Sequence, residues 1–225
     1  MRSILAFLLI PFLACGQENR SISCRFIGFL TGGTGGSLIS VSPGNELACP
    51  FGTSGISKQV SLVAVANVLT FIDSKDRKPA CAIAIPAGIH QALIVVMPGA
   101  KDSGKPWQGF AIEDSKRKFP DGGALVVNLH NANVRFVIGE HRYMLKPGDQ
   151  YGMEMPKQRD DFNMATVAFE FSHRDQWAKA SESRLRFTEG LRYLIFTYTD
   201  PVSKRPRLST FQDDPFKAPP TAAKL

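Results

Sequence analysis

Apolar and polar residues alternate with a period of two along most of the chain after residue 20. Clusters of Gly, Pro, Asn, Asp and Ser interrupt that alternation at the roughly 8–12-residue spacing of a sandwich or barrel. In the first half the pattern predicts strands at Ser21–Leu30, Ser37–Val41, Glu46–Cys49, Gln59–Ala64, Val68–Ile72, Cys81–Ile85, Gln91–Met97 and Gly109–Ile112. In the second half it predicts Ala124–Leu129, Val134–Ile138, Arg142–Leu145, Gln150–Met155, Asn163–Phe171, Trp177–Phe187, Arg192–Thr199 and Arg207–Phe211. Within Asn163–Phe171, Ala165, Val167, Phe169 and Phe171 alternate with Met164, Thr166, Ala168 and Glu170, one face for a core and one for water. Gln176–Arg186 offers the best helical alternative; elsewhere no dozen residues carry a period of 3.6. The expected fold is all-β: two packed antiparallel β-sandwich (immunoglobulin-like) domains at 17–115 and 119–211. The boundary falls at Asp114–Gly123, where charge and turn residues separate two apolar blocks, and 212–225 is expected to be a disordered tail.

The N-terminus departs from this pattern. Arg2 precedes the apolar stretch Ile4–Leu13, which contains Pro11 and ends in Ala14-Cys15-Gly16. That run suits a signal peptide over 1–16 and is too short to cross a bilayer as a helix. Two endings compete. Cleavage after Gly16 would release a soluble exported chain, whereas lipidation of Cys15 would anchor it, as in a bacterial lipobox. Phe12 and Leu13 depart from the usual lipobox residues, which favours soluble export. Either ending places the protein in the periplasm, the cell envelope or outside the cell.

Cys24, Cys49 and Cys81 then remain in the mature chain, and an exported setting permits disulfides. Strand alternation turns Cys49 inward with Leu47, and Cys81 inward with Ile83 and Ile85. Cys49–Cys81 is therefore the first candidate bridge. The alternative is that all three thiols are small buried hydrophobes. No Cys/His spacing suggests zinc.

Composition excludes several classes. With 44% hydrophobic and 21% charged residues the chain can bury a core, and Gly 19 and Pro 15 fall far short of a low-complexity protein. The net charge of +7 is spread thinly, and its densest cluster, Lys116-Arg117-Lys118, runs straight into the turn Phe119-Pro120-Asp121-Gly122. No basic stripe with aromatic platforms is present, so nucleic acid is not expected as a partner. The charge is compatible with mild attraction to anionic lipid or polysaccharide surfaces.

Motif-like segments lack the context that chemistry needs. Gly99–Lys105 resembles a phosphate-binding loop, but Pro106 stands at the magnesium-ligand position and no amphipathic helix follows. Thr31-Gly-Gly-Thr-Gly-Gly-Ser37 follows a strand and also lacks a helix. His130 and His141 flank the strand Val134–Ile138, roughly 17 Å apart at 3.3 Å per residue, too far to share a metal. Asp160 and Asp161 are adjacent and would point to opposite faces of a strand. No catalytic residue, metal or cofactor is expected. Trp107 and Trp177 remain as candidate ligand-binding residues: exposed, they stack on sugars; buried, they fill the space between sheets.

The segments Ile85-Pro86-Ala87-Gly88, Phe119–Leu129, Leu145-Lys146-Pro147-Gly148 and Arg192–Thr199 resemble a group of short exported bacterial proteins. Members are built of two β-sandwiches and have no assigned biochemical role. The resemblance spans about Ser21 to Asp213 and implies architecture and location rather than activity. The expected function is a non-enzymatic envelope or extracellular module that binds a partner protein through loops at one end of a sandwich or through a sheet edge. The alternatives are a carbohydrate-binding module using Trp107 or Trp177, and a hydrolase whose carboxylates converge only in three dimensions. The partner is expected to be an envelope protein or polysaccharide, with membrane contact only through a lipid at Cys15.

Overall fold

The structure, a computed structural model, describes residues 19–174 and 176–214; the expected signal segment, Cys15 and the end of the tail lie outside them. Among the described residues every helix-or-strand element is a strand. In the N-terminal half these are β1 (Asn19–Gly28), β2 (Gly36–Ser42), β3 (Asn45–Phe51), β4 (Val60–Val65), β5 (Val68–Asp73), β6 (Pro79–Ala84), β7 (Gln91–Pro98) and β8 (Trp107–Glu113). In the C-terminal half they are β9 (Ala124–Asn128), β10 (Val134–Ile138), β11 (His141–Leu145), β12 (Gln150–Met153), β13 (Met164–His173), β14 (Gln176–Arg186), β15 (Arg192–Thr199) and β16 (Pro206–Asp213). The all-β class expected from the pattern is the class observed. The helical alternative for Gln176–Arg186 is excluded, because β14 pairs along its length with β13 and absorbs one bulge beside Phe169/Glu170.

Both halves use one strand order. β1 pairs antiparallel with β4 and parallel with β7, and β7 pairs antiparallel with β8. β2 joins β3 and β5, and β5 joins β6. The C-terminal half repeats this strand for strand: β9 pairs with β12 and, in parallel, with β15, which pairs with β16. β10 joins β11 and β13, and β13 joins β14. One difference separates the halves. Val65 pairs with Val68 across the two-residue turn Ala66-Asn67, whose positive φ values of 50° and 62° suit a tight hairpin. That single link makes the N-terminal strands one folded eight-stranded sheet, whereas the C-terminal strands form two four-stranded sheets.

The layers stack because the central strands are apolar on both faces. Leu93-Ile94-Val95-Val96, Leu125-Val126-Val127 and Leu194-Ile195-Phe196 are continuous apolar runs, the pattern of strands without a solvent face. Ile94 and Val96 face the N-terminal core with Phe26, Leu38 and Phe71. Val126 and Ile195 face the C-terminal core with Phe136 and Phe169. The intervening side chains, Leu93, Val95, Leu125, Val127, Leu194 and Phe196, form a third core between the halves together with Ile27, Phe29, Phe119 and Phe211.

A buried ionic quartet closes one margin of that third core. Arg25 on β1 donates through Nε to Asp114 at 2.7 Å and through both Nη atoms to Asp213 at 2.8 and 2.9 Å. Arg192 on β15 donates to Asp213 at 2.8 Å, to Asp114 at 2.9 Å and to the Phe119 carbonyl at 2.7 Å. Two cations meet two anions, so the group is neutral, and its side chains are only 5–11% exposed. Asp114 and Phe119 lie in the expected boundary, which is thus packed into the junction; the Arg192 guanidinium sits 4.0 Å from the centre of the Phe119 ring.

Two expectations need correction. β16 continues through Gln212 and Asp213, residues assigned to the tail, because Asp213 completes the quartet. The bridge Cys49–Cys81 does not form: Cys24, Cys49 and Cys81 are all free, buried thiols. Cys49 on β3 and Cys81 on β6 do face the same core, but β2 and β5 lie between their strands. At about 4.8 Å per strand that is roughly 14 Å, beyond the reach of a disulfide. Alternation reports the face a side chain takes, not its lateral position.

Candidate binding site

Three loops meet at one end of the C-terminal half: residues 129–133 between β9 and β10, the turn between β13 and β14, and residues 200–205 between β15 and β16. The first and third are each held by a buried or backbone-satisfied polar residue. Asn128, fully buried at the end of β9, uses every hydrogen-bonding position of its amide. Its Nδ2 donates to the carbonyls of Ala132 at 3.0 Å and Leu145 at 3.1 Å. Its Oδ1 accepts from the His130 backbone N–H at 3.0 Å and the Thr197 hydroxyl at 2.8 Å. The amide thereby ties the first loop to β11 and β15. Asp200 does the same for the third loop, accepting from the backbone N–H groups of Val202 at 2.8 Å and Ser203 at 2.7 Å. Those contacts, Ser203 first, hold its carboxyl below the usual range.

The loops enclose a cavity of about 700 Å³. His130 is 8% exposed; its Nδ1 lies 2.7 Å from the Thr199 hydroxyl, and its ring packs edge-on against Phe171 at 4.8 Å. Burial pushes the imidazole below its ordinary pKa. His173, Lys179, Lys204 and Arg205 also line the wall, whereas among the described residues no Asp or Glu does. Phe171, Ala132, Ala178 and Pro206 supply apolar surface. Lys204 takes a positive φ of 57° within the Asp200 turn, whose backbone bonds over-determine that conformation.

A second depression, about 620 Å³, lies on the outer face of β10, β11, β13 and β14 over Val137 and Ala168. Its charges are largely engaged with one another, Arg135 with Glu170 and Lys179 with Glu182. A third, about 530 Å³, borders the quartet, where Asp114 and Asp213 are held by Arg25 and Arg192. Of these three, the loop-end cavity alone has several cations in its wall and no carboxylate among its described lining residues.

The residues singled out from sequence are placed apart. Trp107, half-buried at the start of β8, donates its indole N–H to Asp73 at 3.0 Å and meets Phe51 edge-on at 5.2 Å. Those are the contacts of a side chain that packs one end of the N-terminal half. Trp177 lies on β14 with the Arg135 guanidinium 4.5 Å over its ring. Cys49 and Cys81 sit in the N-terminal core, and burial pushes each thiol up to about 11. Burial and then the neighbouring Cys49 push Cys24 up to about 12, so all three are poor nucleophiles. Cys15 lies outside the described residues.

The polar residues that organise the structure were visible but unread. Asn128 ends the apolar run Ala124–Val127, and Arg192 opens another; a polar residue at the end of a doubly buried strand must find partners inside. No family model and no curated protein matches the chain. What the fold and site define is therefore a class: an all-β protein of stacked sheets with a cationic cavity among its end loops.

Proposed function

We propose that the chain is an exported, non-enzymatic binding module of two immunoglobulin-like halves that captures an envelope or extracellular partner at the loop end of its C-terminal half. The observation that carries this reading is the cavity of about 700 Å³ built from three loops, with a cationic wall and no carboxylate among its described lining residues. Loops on a rigid sheet frame are where all-β proteins commonly place recognition. The immunoglobulin-like description is supported by the shared strand order, with the first strand of each half parallel to the seventh. The non-enzymatic reading is supported by the state of the converging carboxylates, since Asp114 and Asp213 are both engaged by arginines and neither is free for acid–base work. Export rests on the apolar segment Ile4–Leu13, and the resemblance to exported two-sandwich proteins agrees with it.

The test is affinity capture from an envelope fraction with the wild-type chain and with Lys204→Glu/Arg205→Glu. A partner retained by the wild type and lost by the variant is the expected result. Equal recovery by both removes the loop end as the binding surface. Mass spectrometry of the mature N-terminus separates a lipid on Cys15 from cleavage after Gly16. A carbohydrate reading is favoured by one feature, the partly exposed Trp177 next to the open depression on the outer sheet. Glycan binding that is lost in Trp177→Ala and kept in Lys204→Glu/Arg205→Glu would move the site there.

A further inference from the structure

Resting on that reading, we propose that the loop-end cavity is a site for an oxyanion, a carboxylate, sulfate or phosphate group, carried on a ring-sized body and held between His130 and the Lys204-Arg205 turn. Charge is the first argument. Lys204 and Arg205 make no ion pair among the described residues, while Lys179, the other cation in the wall, already pairs with Glu182. Asp200, the carboxylate nearest to Lys204 and Arg205 in sequence, is engaged by the backbone of its own turn. Cations gathered with no counter-charge among the described residues are a standing demand for an anion. A guanidinium meets that demand in the planar, two-pronged way that suits carboxylate and phosphoryl oxygens.

His130 is the second argument, and it is independent of the surface cations. Its side chain is more than nine-tenths buried, and Nδ1 is fixed by the Thr199 hydroxyl. Nε2 has no hydrogen-bond partner among the described residues, and His130 lines the cavity. In the tautomer in which Thr199 donates to Nδ1, the ring proton sits on Nε2 and is a hydrogen-bond donor for a ligand. Asn128 holds the loop that positions this ring from behind.

Size is the third. A volume of about 700 Å³ falls within the range of small-molecule sites and far exceeds a bare inorganic anion. Phe171, Ala132 and Pro206 offer apolar surface against which a body can lie while its anionic group reaches the cations. An acidic sugar unit fits that description; so does a small phosphorylated or carboxylated ring.

The test is an NMR titration of the isotopically labelled mature chain with acetate, inorganic phosphate and galacturonate, each matched for ionic strength with chloride. Saturable shifts are expected at His130, His173, Thr199 and residues 204–206, with core signals unmoved. Lys204→Ala/Arg205→Ala, on an exposed turn that leaves the core intact, should weaken binding about tenfold, and His130→Gln at least about threefold. Tighter binding of galacturonate than acetate would identify an acidic ring as the source of the anion; preference for phosphate would identify a phosphoryl group. Absence of saturable shifts for all three up to about 50 mM, or undiminished binding by the double variant, would overturn the proposal. Failure of the broader reading looks different. A partner captured through the loops but not displaced by any oxyanion keeps that reading and rejects this site. An oxyanion bound without any partner recovered does the reverse.

Discussion

The two halves share a strand order and finish the same end differently. In the N-terminal half the end ladder pair of β7 and β8 is Pro98 with Trp107, and in the C-terminal half the matching pair of β15 and β16 is Thr199 with Pro206. Trp107 turns in, bonds Asp73 and meets Phe51, and so packs the first end. Pro206 is too small to do this, and a cavity of about 700 Å³ lies beside it. The first strands differ in step. Gly28 pairs with Val96 where Asn128 pairs with Thr197. A Cβ on Gly28 would stand 2.9 Å from the Phe51 ring, so glycine admits that ring, whereas Asn128 instead organises a loop. The segments that look like nucleotide-binding loops, Thr31–Ser37 and Gly99–Lys105, fall at the matching connections of the N-terminal half. One frame thus carries a packed end and an open one, and a few side chains decide which is which.

The largest predicted effect concerns what the halves share rather than how they differ. Arg25 and Asp114 come from one half and Arg192 and Asp213 from the other. Asp213→Ala leaves two buried guanidinium groups short of an anion and should cost about 3–5 kcal/mol, read as a lowered midpoint in urea or thermal unfolding. A loss below about 1 kcal/mol would mean that water reaches the quartet and that it does not bind the halves together.

The next effect tests the two ends directly. Trp107→Ala removes half-buried ring surface and leaves Asp73 Oδ2 without its indole donor, so a loss of about 2–4 kcal/mol is expected. Pro206→Ala, at the matching ladder position, should change stability by less than about 0.5 kcal/mol. Equal costs at the two positions would dissolve the contrast. A sharper version is Pro206→Trp, which is expected to fill the open end and suppress oxyanion binding while the chain stays folded.

The frame was largely legible from residue patterns, because burial on one or two faces leaves a direct imprint on them. Asn163–Phe171 alternates, since one face of β13 meets water, and Leu93–Val96 does not, since β7 has none. The doubly buried runs of β9 and β15 also marked the sheets that stack between the halves, a message that their shortness hid. Lateral position left no such imprint. Cys49 and Cys81 point the same way from strands held apart by two others, and nothing in their spacing says so. The binding candidate was missed for a related reason. His130, Thr199 and Lys204 are remote in sequence and come together only through the parallel pairing of β9 and β15.

A smaller effect returns to the one topological difference, the passage from the fourth strand of each half to the fifth. β4 and β5 are joined by two residues, whereas β12 and β13 are joined by residues 154–163, and that longer segment needs an anchor. Glu140 supplies it from the turn between β10 and β11, accepting from the backbone N–H of Lys157 at 2.8 Å and of Gln158 at 2.9 Å. Burial alone would raise its pKa, but the Gln158 and Lys157 N–H groups outweigh burial and bring the carboxyl down to about 2. A depressed folded-state pKa adds stability above the unfolded-state value, near 4.5, and that stability is lost as pH falls toward about 2. Glu140→Gln should therefore cost about 1–2 kcal/mol at pH 7, and the difference from wild type should shrink steadily between about pH 4.5 and 2. A difference that stays constant across that window would show that the segment is held by its own packing, so that the long connection needs no more anchoring than the hairpin it replaces.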